Sequence, residues 1–463
     1  MRYSINFENK IKEINKDKPK QYYYIDTMGC ALNENDSLKY KGIIEACGYT
    51  LTDDVDEANL VLFNTCAIRE NAEEKLYGRL GQLKARKKKA KETGKDFVIC
   101  IVGCMSEQES VLAKIKESYP FVDVVLGTRS MARFAERVYI ALKENKKTKG
   151  LEDEHIVLED VPIARVDGFK ASVSIIYGCN NFCSYCIVPY VRGRERSRLP
   201  EDIIKDIENL AKDGYKEITL LGQNVNSYGN DFTGELEGYS FVDLLKEVDN
   251  VKEIEIIKFT SPHPKDFTDE LIDYIAVNPK ISRQLHLPLQ AGNTKVLKDM
   301  NRKYTKEQYL ALVEKIRKKV PDVSFSTDII VGFPGETEEE FEDTLDVVKR
   351  VNFDMIYMFC YSVRIGTRAE KMENQIEESV KVERLERLKA LYEKMVNENN
   401  NKKIGKVYKI LIEGKSKNNE LKYTGRTTDN KIVVFDAKKE DVGKIKEIKI
   451  TENNLWYLTG EIV

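Results

Sequence analysis

The chain has 463 residues, enough for two or three domains, and a hydrophobic fraction of 41% is typical of a globular protein with packed cores. Charged residues make up 33%, but 75 basic residues nearly cancel 77 acidic ones, so the overall charge indicates no nucleic-acid partner. No apolar run reaches the length of a membrane span, and the first twenty residues are polar without an apolar signal core. We therefore expect a cytoplasmic protein with no membrane contact.

The first part of the chain alternates between strand and helix patterns. Residues 1–20 are predicted to be a mobile polar lead-in. The strands predicted after it are Tyr22–Met28, Leu60–Asn64, Phe97–Val102 and Val122–Leu126. The helices predicted between them are Asn33–Cys47, Arg69–Lys88, Ser106–Glu117 and Met131–Leu142. Such alternation predicts an α/β domain with a parallel sheet covered on both faces, over residues 20–140 and before the charged stretch Lys143–Glu154.

A second alternating series follows, which we assign to residues 165–398. Its predicted strands are Ala171–Tyr177, Glu217–Leu221, Ile254–Phe259, Gln284–Leu289, Val323–Val331 and Asp354–Tyr361. Helix boundaries are well marked: Pro200 opens one helix, Gly214 ends it, and two later helices begin with the capping-box pairs Thr305–Gln308 and Thr337–Glu340. Six βα units predict a partial, open (βα)6 barrel of the TIM type, closed by a charged helix over Gln375–Lys403.

The carboxyl-terminal tail, residues 401–463, changes to a strand period. Its predicted strands are Val407–Ile412, Leu421–Gly425, Ile432–Phe435, Ile445–Ile450 and Leu455–Leu458. This pattern predicts a small all-β barrel. The tail holds 14 Lys/Arg against 9 Asp/Glu, a local positive excess in a chain that is otherwise slightly acidic.

Nine cysteines and three histidines limit the chemistry. In a reducing cytosol, cysteines of a chain this long do not form a disulfide framework, and clustered cysteines indicate a metal or catalytic site. No two histidines have helical spacing, which makes a histidine-rich zinc hydrolase a poor candidate. Cys100 lies inside an apolar run and Cys360 in a predicted barrel strand, so both are expected to be inert core residues, as is Cys47 at a helix end.

The central cysteines have a spacing that carries chemistry. Cys179, Cys183 and Cys186 form a CxxxCxxC motif directly after the first predicted barrel strand, and barrel active sites lie at the carboxyl ends of strands. Thiolates suit iron–sulfur clusters, and three of them leave one iron of a four-iron cluster free to bind a substrate. The alternative is a structural zinc loop, which usually requires four ligands; no fourth cysteine or histidine lies nearby in the sequence.

Three further cysteines end predicted strands of the first domain. Cys30, Cys66 and Cys104 are 36 and 38 residues apart, about one βα repeat each. Ligands of open α/β sheets bind outside the carboxyl ends of strands, so these thiols are predicted to converge on a second three-cysteine cluster. The alternative is that some of them are buried core cysteines.

The central motif, with the aromatic Tyr185 before its last cysteine, resembles the radical S-adenosylmethionine (SAM) superfamily. That resemblance implies that the open iron binds the amino and carboxylate groups of SAM. Gly222 and Gln223, at the end of the second barrel strand, match the position of that family's contact to the methionine amino group. The run Ile329–Glu336 resembles its later adenine-side motif.

The chain as a whole, from about residue 20, is similar to the methylthiotransferases. The matching stretches are Gly29-Cys30 with Asn33–Ser37, Asn64–Glu70, Gly103–Met105, Gly178–Arg198, Thr260–Phe267, His286–Gly292 and Tyr361 through Gly366-Thr367, with a tail that resembles the TRAM domain, a small RNA-binding barrel; Ala31-Leu32 departs from the family's pattern. The resemblance implies two [4Fe–4S] clusters and methylthiolation at C2 of N6-(dimethylallyl)adenosine next to the anticodon of tRNA, with SAM as both methyl donor and radical source. It also implies a flavodoxin or ferredoxin as electron donor, with the sulfur donor unknown, and we expect a monomer.

RNA and cofactor contacts are expected from local basic patches. In the run Arg192–Arg198, guanidinium forks suit both phosphate and carboxylate; Arg192 is assigned to the cofactor carboxylate and the others to RNA, the alternative being a solvated loop. Lys84–Lys91 forms a basic helix face that solvation alone explains. In the tail, Tyr423, Arg426 and Phe435 are expected to contact sugar and phosphate.

Two alternatives remain open at the level of function. One is a related methylthiotransferase that acts on threonylcarbamoyl-adenosine or on a ribosomal-protein aspartate. The other, from a different class, is a non-catalytic RNA-binding protein whose cysteines hold structural zinc.

Overall fold

A computed structural model describes residue 3 and residues 5–68, 70–144, 147–149, 157–164, 168–427 and 431–463. Most of the predicted charged stretch 143–154 lies outside these residues. The chain packs into two compact units, one comprising Met1–Gly168, Ser172–Asn180 and Ile187–Ile203, the other Phe169–Ala171, Asn181–Cys186 and Ile204–Val463. None of the helices in the described ranges combines the length and the apolar character that crossing a membrane requires.

The first unit contains a six-stranded parallel sheet in the order β2-β1-β3-β4-β5-β6. Its strands are β1 (Tyr22–Met28), β2 (Thr50–Leu51), β3 (Leu60–Thr65), β4 (Val98–Gly103), β5 (Val124–Leu126) and β6 (Thr148–Lys149). Its helices are α1 (Phe7–Asn15), α2 (Ala31–Ala46), α3 (Glu70–Glu92), α4 (Glu109–Ser118) and α5 (Phe134–Lys143). The predicted α/β domain with a parallel sheet is therefore confirmed.

The central strands of this sheet are apolar because both of their faces are covered. Every residue of β3 and β4 is buried, the pattern of parallel strands between two helical layers. One core, on the side of α2 and α5, contains Ile43, Leu62 and Phe134. The other, on the side of α3 and α4, contains Phe63 and Leu76.

Residues 1–20 were expected to be a mobile polar lead-in, but part of this segment forms a helix. Helix α1 occupies Phe7–Asn15, and Ile11 is fully buried in the first core. The apolar positions of a nine-residue helix are few, so its buried side is easily missed among lysines and glutamates. Helix α1 adds a layer to the sheet.

The barrel strands form two three-stranded sheets, β7-β10-β11 and β12-β13-β14, and those from β10 onwards belong to the second unit. The strands of this region are β7 (Lys170–Ser174), β8 (Ile176–Tyr177), β9 (Arg196–Ser197), β10 (Glu217–Leu221), β11 (Ile256–Phe259), β12 (Gln284–His286), β13 (Ser324–Val331) and β14 (Met355–Cys360). A parallel bridge between Ile257 and Ile281 joins β11 to the chain that enters β12. This arrangement confirms the predicted open, six-strand barrel.

Helices connect the barrel strands largely where they were predicted. They are α6 (Val188–Arg192), α7 (Pro200–Lys212), α8 (Phe241–Asp249), α9 (Asp269–Val277), α10 (Thr294–Asp299), α11 (Lys306–Lys319), α12 (Glu338–Val351) and α13 (Glu378–Asn401). Both predicted capping boxes form, with Thr305 and Thr337 accepting from the backbone amides of Gln308 and Glu340.

The tail forms a closed five-stranded barrel in the order β15-β16-β17-β19-β18. Its strands are β15 (Val407–Lys415), β16 (Tyr423–Arg426), β17 (Ile432–Phe435), β18 (Ile445–Asn453) and β19 (Leu458–Ile462). Alternate residues such as Ile410, Val433 and Ile448 fill its interior. The predicted all-β barrel is confirmed.

Candidate active site

The amino-terminal cysteines follow the ends of three neighbouring strands. In the parallel register, Met28 of β1 pairs with Thr65 of β3, and Thr65 pairs with Gly103 of β4. Cys66 and Cys104 are the next residues of their strands, and Cys30 comes two residues after Met28. The sheet register therefore delivers the three cysteines to the same edge.

Their thiols interact with one another electrostatically. A hydrogen bond between Cys30 and Cys66 lowers the pKa of Cys30 and raises that of Cys66, which burial and Cys104 raise further. Burial also raises the pKa of Cys104. Cys47 and Cys100 lie apart from this group in the apolar core, as predicted, whereas Cys360 is half-buried rather than in the core.

A buried pair of asparagines holds the strand ends together. Asn33, at the start of α2, donates to Asn64 Oδ1 (2.9 Å) and to the carbonyl oxygen of Thr65 (3.1 Å), while Asn64 Nδ2 donates to the carbonyl oxygen of Asn33 (2.8 Å) and to Ser37 Oγ (2.9 Å). Cys30 Sγ lies 3.3 Å from Asn33 Oδ1. These amides fix the loops that carry Cys30 and Cys66, a role that their polar character alone did not reveal.

Arg192 lies against this group of thiols. Its Nε donates to Cys104 Sγ (3.0 Å) and its Nη2 contacts Asp36 Oδ2 (3.2 Å), with only 5% of its side chain exposed. Helix α6 brings it there, since Val191 and Ile187 pack with Cys104 and Ala67. The contact with Cys104, 88 residues away, leaves no trace in the local sequence, and the expected contact of Arg192 with the cofactor carboxylate stays a prediction.

The central cysteines lie on the loop that follows β8, where the chain leaves the first unit after Asn180 and enters the second at Asn181. Cys179 belongs to the first unit, where its amide donates to the carbonyl oxygen of Gly193 (3.1 Å). Cys183 and Cys186 belong to the second, and the Cys186 amide donates to the carbonyl oxygen of Cys183 (2.9 Å). Their separation along the chain is short enough for one cluster, and the motif follows β8 as predicted.

In the second unit, the turn after α10 supports this loop. Asn301 Nδ2 donates to the carbonyl oxygens of Asn181 (3.1 Å) and Phe182 (2.9 Å), and the Ser184 amide donates to the carbonyl oxygen of Met300 (2.9 Å). Asn301 itself has a φ of 58°, a left-handed conformation that asparagine tolerates. A single turn therefore sets the path of the cysteine loop.

A second buried guanidinium lies beside the central thiols. Arg302 Nη1 is 3.4 Å from Cys183 Sγ, and its Nη2 donates to the carbonyl oxygen of Pro288 (3.1 Å). Tyr304 accepts from Arg302 Nε (3.0 Å), and the His263 ring packs edge-on against Tyr304. Burial lowers the pKa of His263, so its imidazole stays neutral. Sequence analysis missed Arg302, whose contact with Cys183 spans 119 residues.

The residues assigned to SAM by resemblance lie near the ends of barrel strands. Gly222 and Gln223 directly follow β10, and the loop beyond them is tied to the loop after β11 by Asn226, whose side-chain Nδ2 donates to the His263 carbonyl oxygen and whose Oδ1 accepts from the His263 amide. Tyr185 is close enough to Cys183 for that thiol, together with burial, to raise its pKa. The contacts of these three residues with a cofactor stay predictions.

The thiols suit iron–sulfur clusters in their chemistry. Within the described ranges, no three cysteine, histidine, aspartate or glutamate side chains already form a metal-binding group. Each set of cysteines, however, has an arginine N–H directed at one sulfur, at Cys104 and at Cys183. Hydrogen bonds to sulfur stabilise anionic thiolate clusters, so the residues fit such a group.

Two of the tail residues that were expected to contact RNA lie inside the tail barrel instead. Tyr423 and Phe435 are buried in the barrel core, so the expectation that they contact RNA is wrong; the strand period gave their face but not which face is inside. Arg426 is partly exposed and lies 3.5 Å from Glu413. Trp456 and Tyr457, which sequence analysis did not single out, are the aromatic side chains exposed there, at 50% and 41%.

More residues of the basic segments than expected form contacts within the protein. Of the run Arg192–Arg198, Arg198 is buried in an ion pair with Glu159, Arg196 donates to the carbonyl oxygen of Arg192, and Arg194 is exposed. In α3, Lys87 Nζ lies 2.6 Å from Asp123 Oδ2, so the Lys84–Lys91 face is partly structural.

Three family models match the chain. The Radical SAM superfamily matches residues 173–348, Uncharacterized protein family UPF0004 matches residues 22–127, and the TRAM domain matches residues 401–463. The solved structure of a radical SAM methyltransferase, TsrM from Kitasatospora setae, shares the fold with a TM-score of 0.54 at 14% identity over 76% of this chain and 77% of that one. The chain is thus a radical SAM protein, a class that uses SAM and a [4Fe–4S] cluster.

Curated relatives identify the family. A tRNA-2-methylthio-N(6)-dimethylallyladenosine synthase of Acetivibrio thermocellus is 48% identical over 99% of this chain and 95% of its own length. The enzyme of that name from Caldicellulosiruptor saccharolyticus is also 48% identical, over 100% of this chain and 99% of its own. The chain belongs to the family of tRNA-2-methylthio-N(6)-dimethylallyladenosine synthases.

Proposed function

We propose that this protein catalyses methylthiolation at C2 of N6-(dimethylallyl)adenosine next to the anticodon of tRNA. The observation that carries the proposal is the presence of two separate sets of three cysteines, each with a buried arginine at one sulfur, in a chain of this family. When bound, SAM would supply the methyl group and the radical that removes the C2 hydrogen, and the auxiliary cluster would hold the sulfur that is transferred.

The chain's own residues hold these groups. Cys179, Cys183 and Cys186 are the ligands of the radical cluster, and Cys30, Cys66 and Cys104 those of an auxiliary cluster. The register of β1, β3 and β4 and the Asn33–Asn64 pair support the second assignment. Gly222, Gln223 and Tyr185 are proposed to contact SAM. Arg192 is also proposed to support the auxiliary cluster, because it donates to Cys104.

The two arginines beside the cysteine sulfurs are proposed to stabilise the bound clusters. Arg302 and Arg192 place positive charge and N–H donors beside the sulfurs of Cys183 and Cys104, which would stabilise the negative charge of a thiolate-bound cluster. Both are shielded from water, at 7% and 5% exposure, so the interaction is stronger than it would be in solvent. They therefore help to hold the cluster ligands without being ligands themselves.

The setting of the reaction follows from the substrate. The TRAM barrel, residues 401–463, binds tRNA, and the protein acts in the cytoplasm, which the tRNA-modifying activity of its relatives supports. A flavodoxin or ferredoxin delivers electrons to the radical cluster, and the protein acts as a monomer.

Anaerobic reconstitution tests the cluster assignments. Two four-iron clusters give about eight irons per chain and a brown chromophore, whereas colourless, zinc-loaded protein would contradict the proposal. The activity test is mass spectrometry of tRNA nucleosides from a deletion strain. Persistence of methylthiolated dimethylallyladenosine in that strain would show that the substrate is wrong, and loss of methylthiolated threonylcarbamoyl-adenosine instead would identify the related reaction.

A further inference from the structure

One face of the β12-β13-β14 sheet carries an exposed aromatic surface. Successive strand residues point to opposite faces, and register partners in parallel strands share a face. The pairs His286–Ser326, Asp328–Tyr357 and Ile330–Phe359 therefore lie on one face. The other face, with Leu285, Phe325, Ile329 and Ile356, is buried.

The first face exposes two large aromatic side chains. Tyr357 and Phe359 are 48% and 50% exposed, although large aromatic side chains are normally covered in a barrel. They are two residues apart on β14, the edge strand of this sheet, so both rings are open to the same space. We name this surface, His286, Asp328, Tyr357 and Phe359, the aromatic face.

Polar groups of fixed geometry border the two rings. His286 Nδ1 lies 3.0 Å from Ser326 Oγ, and its Nε2 lies 3.4 Å from Asp328 Oδ2. The His286 ring meets the Tyr357 ring edge-on, with centroids 5.9 Å apart. The combination of flat apolar rings with a carboxylate and an imidazole suits a planar heteroaromatic group that carries an N–H donor and an apolar substituent.

The RNA-binding barrel contacts the same strands. Gln284, two residues before His286 on β12, donates from Nε2 to the carbonyl oxygen of Thr427 (3.3 Å). Lys431 Nζ contacts the carbonyl oxygen of Asp354, directly before β14. The aromatic face is thus continuous with the module that holds RNA, which indicates a nucleobase rather than a free small molecule as its occupant.

From these observations we propose that the aromatic face binds the target adenine and its dimethylallyl group, with the base stacked on Tyr357 and Phe359. This inference rests on the proposed function and adds the site that selects the prenylated base. Reading an unpaired base by stacking on aromatic rings is a common device of RNA-binding proteins, and each stacked base contributes substantially to affinity. Asp328 is positioned to accept the N6–H of the base.

The test compares the binding of two anticodon stem–loop RNAs to the reconstituted full chain. One RNA carries dimethylallyladenosine and the other adenosine at the target position. We expect the wild type to bind the prenylated RNA more tightly. The double variant Tyr357→Ala, Phe359→Ala is expected to lose about 10- to 100-fold in affinity for it, together with the preference. Tyr357→Phe, which keeps the ring, is expected to retain both.

Controls separate folding and cofactor binding from base binding. Val277→Ala removes a side chain that is 77% exposed on α9, away from this sheet, and is expected to bind both RNAs like the wild type. The variant Phe359→Leu keeps apolar volume without a ring and is expected to show a partial loss. Iron content and melting temperature are measured for every variant.

Three outcomes would overturn the inference: a wild type without prenyl preference, a double variant that binds like the wild type, or a double variant that loses SAM affinity while RNA affinity is unchanged. Failure of the proposed function looks different. In that case the prenyl preference and its loss in the double variant persist, but the reconstituted wild type forms no methylthiolated product.

Discussion

The two sets of cysteines are positioned by different physical means. The amino-terminal thiols lie at the ends of three strands and depend on the register of a whole sheet. The central thiols lie within eight residues of one loop, whose path is set by the turn at Asn301 and Arg302. The central set therefore depends on tertiary contacts with a single turn, whereas the amino-terminal set depends on the pairing of three strands, so the two should respond to different perturbations.

The largest difference between the two sets of cysteines is expected when one cluster ligand is replaced. Cys66→Ala should remove the auxiliary cluster, leave about four irons per chain, and abolish methylthiolation while SAM cleavage persists. The matched control is Cys100→Ala, a cysteine of the same sheet that is fully buried in its core. This variant should keep the full iron content and lose only a little stability. Equal iron in wild type and Cys66→Ala would refute the assignment.

The two arginines permit a reciprocal test. Lysine keeps the charge but loses the planar fork of donors. Arg192→Lys should therefore weaken iron retention by the amino-terminal cysteines, and Arg302→Lys should weaken iron retention by the central cysteines. Each effect is expected to be about 10- to 100-fold. Iron release to a chelator, followed by the spectrum of the remaining cluster, measures this. Loss of the same cluster in both variants would show that the two sites are not independently supported.

Removal of a core side chain should affect the sheet-based set more than the loop-based one. Ile11→Ala leaves a cavity in the first core and is expected to lower the free energy of unfolding of the first unit by about 2–4 kcal/mol. Thermal unfolding with concurrent iron release would show the amino-terminal cluster lost at the lower temperature. Asn9→Ala, on the exposed side of the same helix, is the control. Unchanged unfolding in Ile11→Ala would contradict the packing of α1.

The smallest effect is expected at the turn that supports the central loop. Asn301→Gly keeps the left-handed backbone conformation but removes the hydrogen bonds to Asn181 and Phe182, a cost of about 1–2 kcal/mol. Only the central cluster should become easier to remove, as judged by SAM cleavage after chelator treatment. If the amino-terminal cluster were released instead, the turn would have a wider role.

The sequence was a good guide wherever the signal is local. Strand β10 occurs at Glu217–Leu221 and β17 at Ile432–Phe435, as predicted, because apolar runs and caps are read from neighbouring residues. It was a poor guide wherever the meaning of a side chain depends on a distant partner. The contact of Arg192 with Cys104 was not foreseen, and Arg302 was not noticed, because Cys104 and Cys183 are far from them in the chain. Tyr423 and Phe435 were assigned to RNA because alternation does not say which side of a strand is covered.

The register of β1, β3 and β4 also has an evolutionary consequence. The intervals between Cys30, Cys66 and Cys104 merely record how long the connecting helices are, and a helix such as α3 could gain or lose turns without displacing a sulfur. Relatives are therefore free to vary those intervals, while an insertion of one residue inside β3 would not be tolerated. A pattern search built on fixed distances between these three cysteines would overlook homologues that one built on strand ends would find.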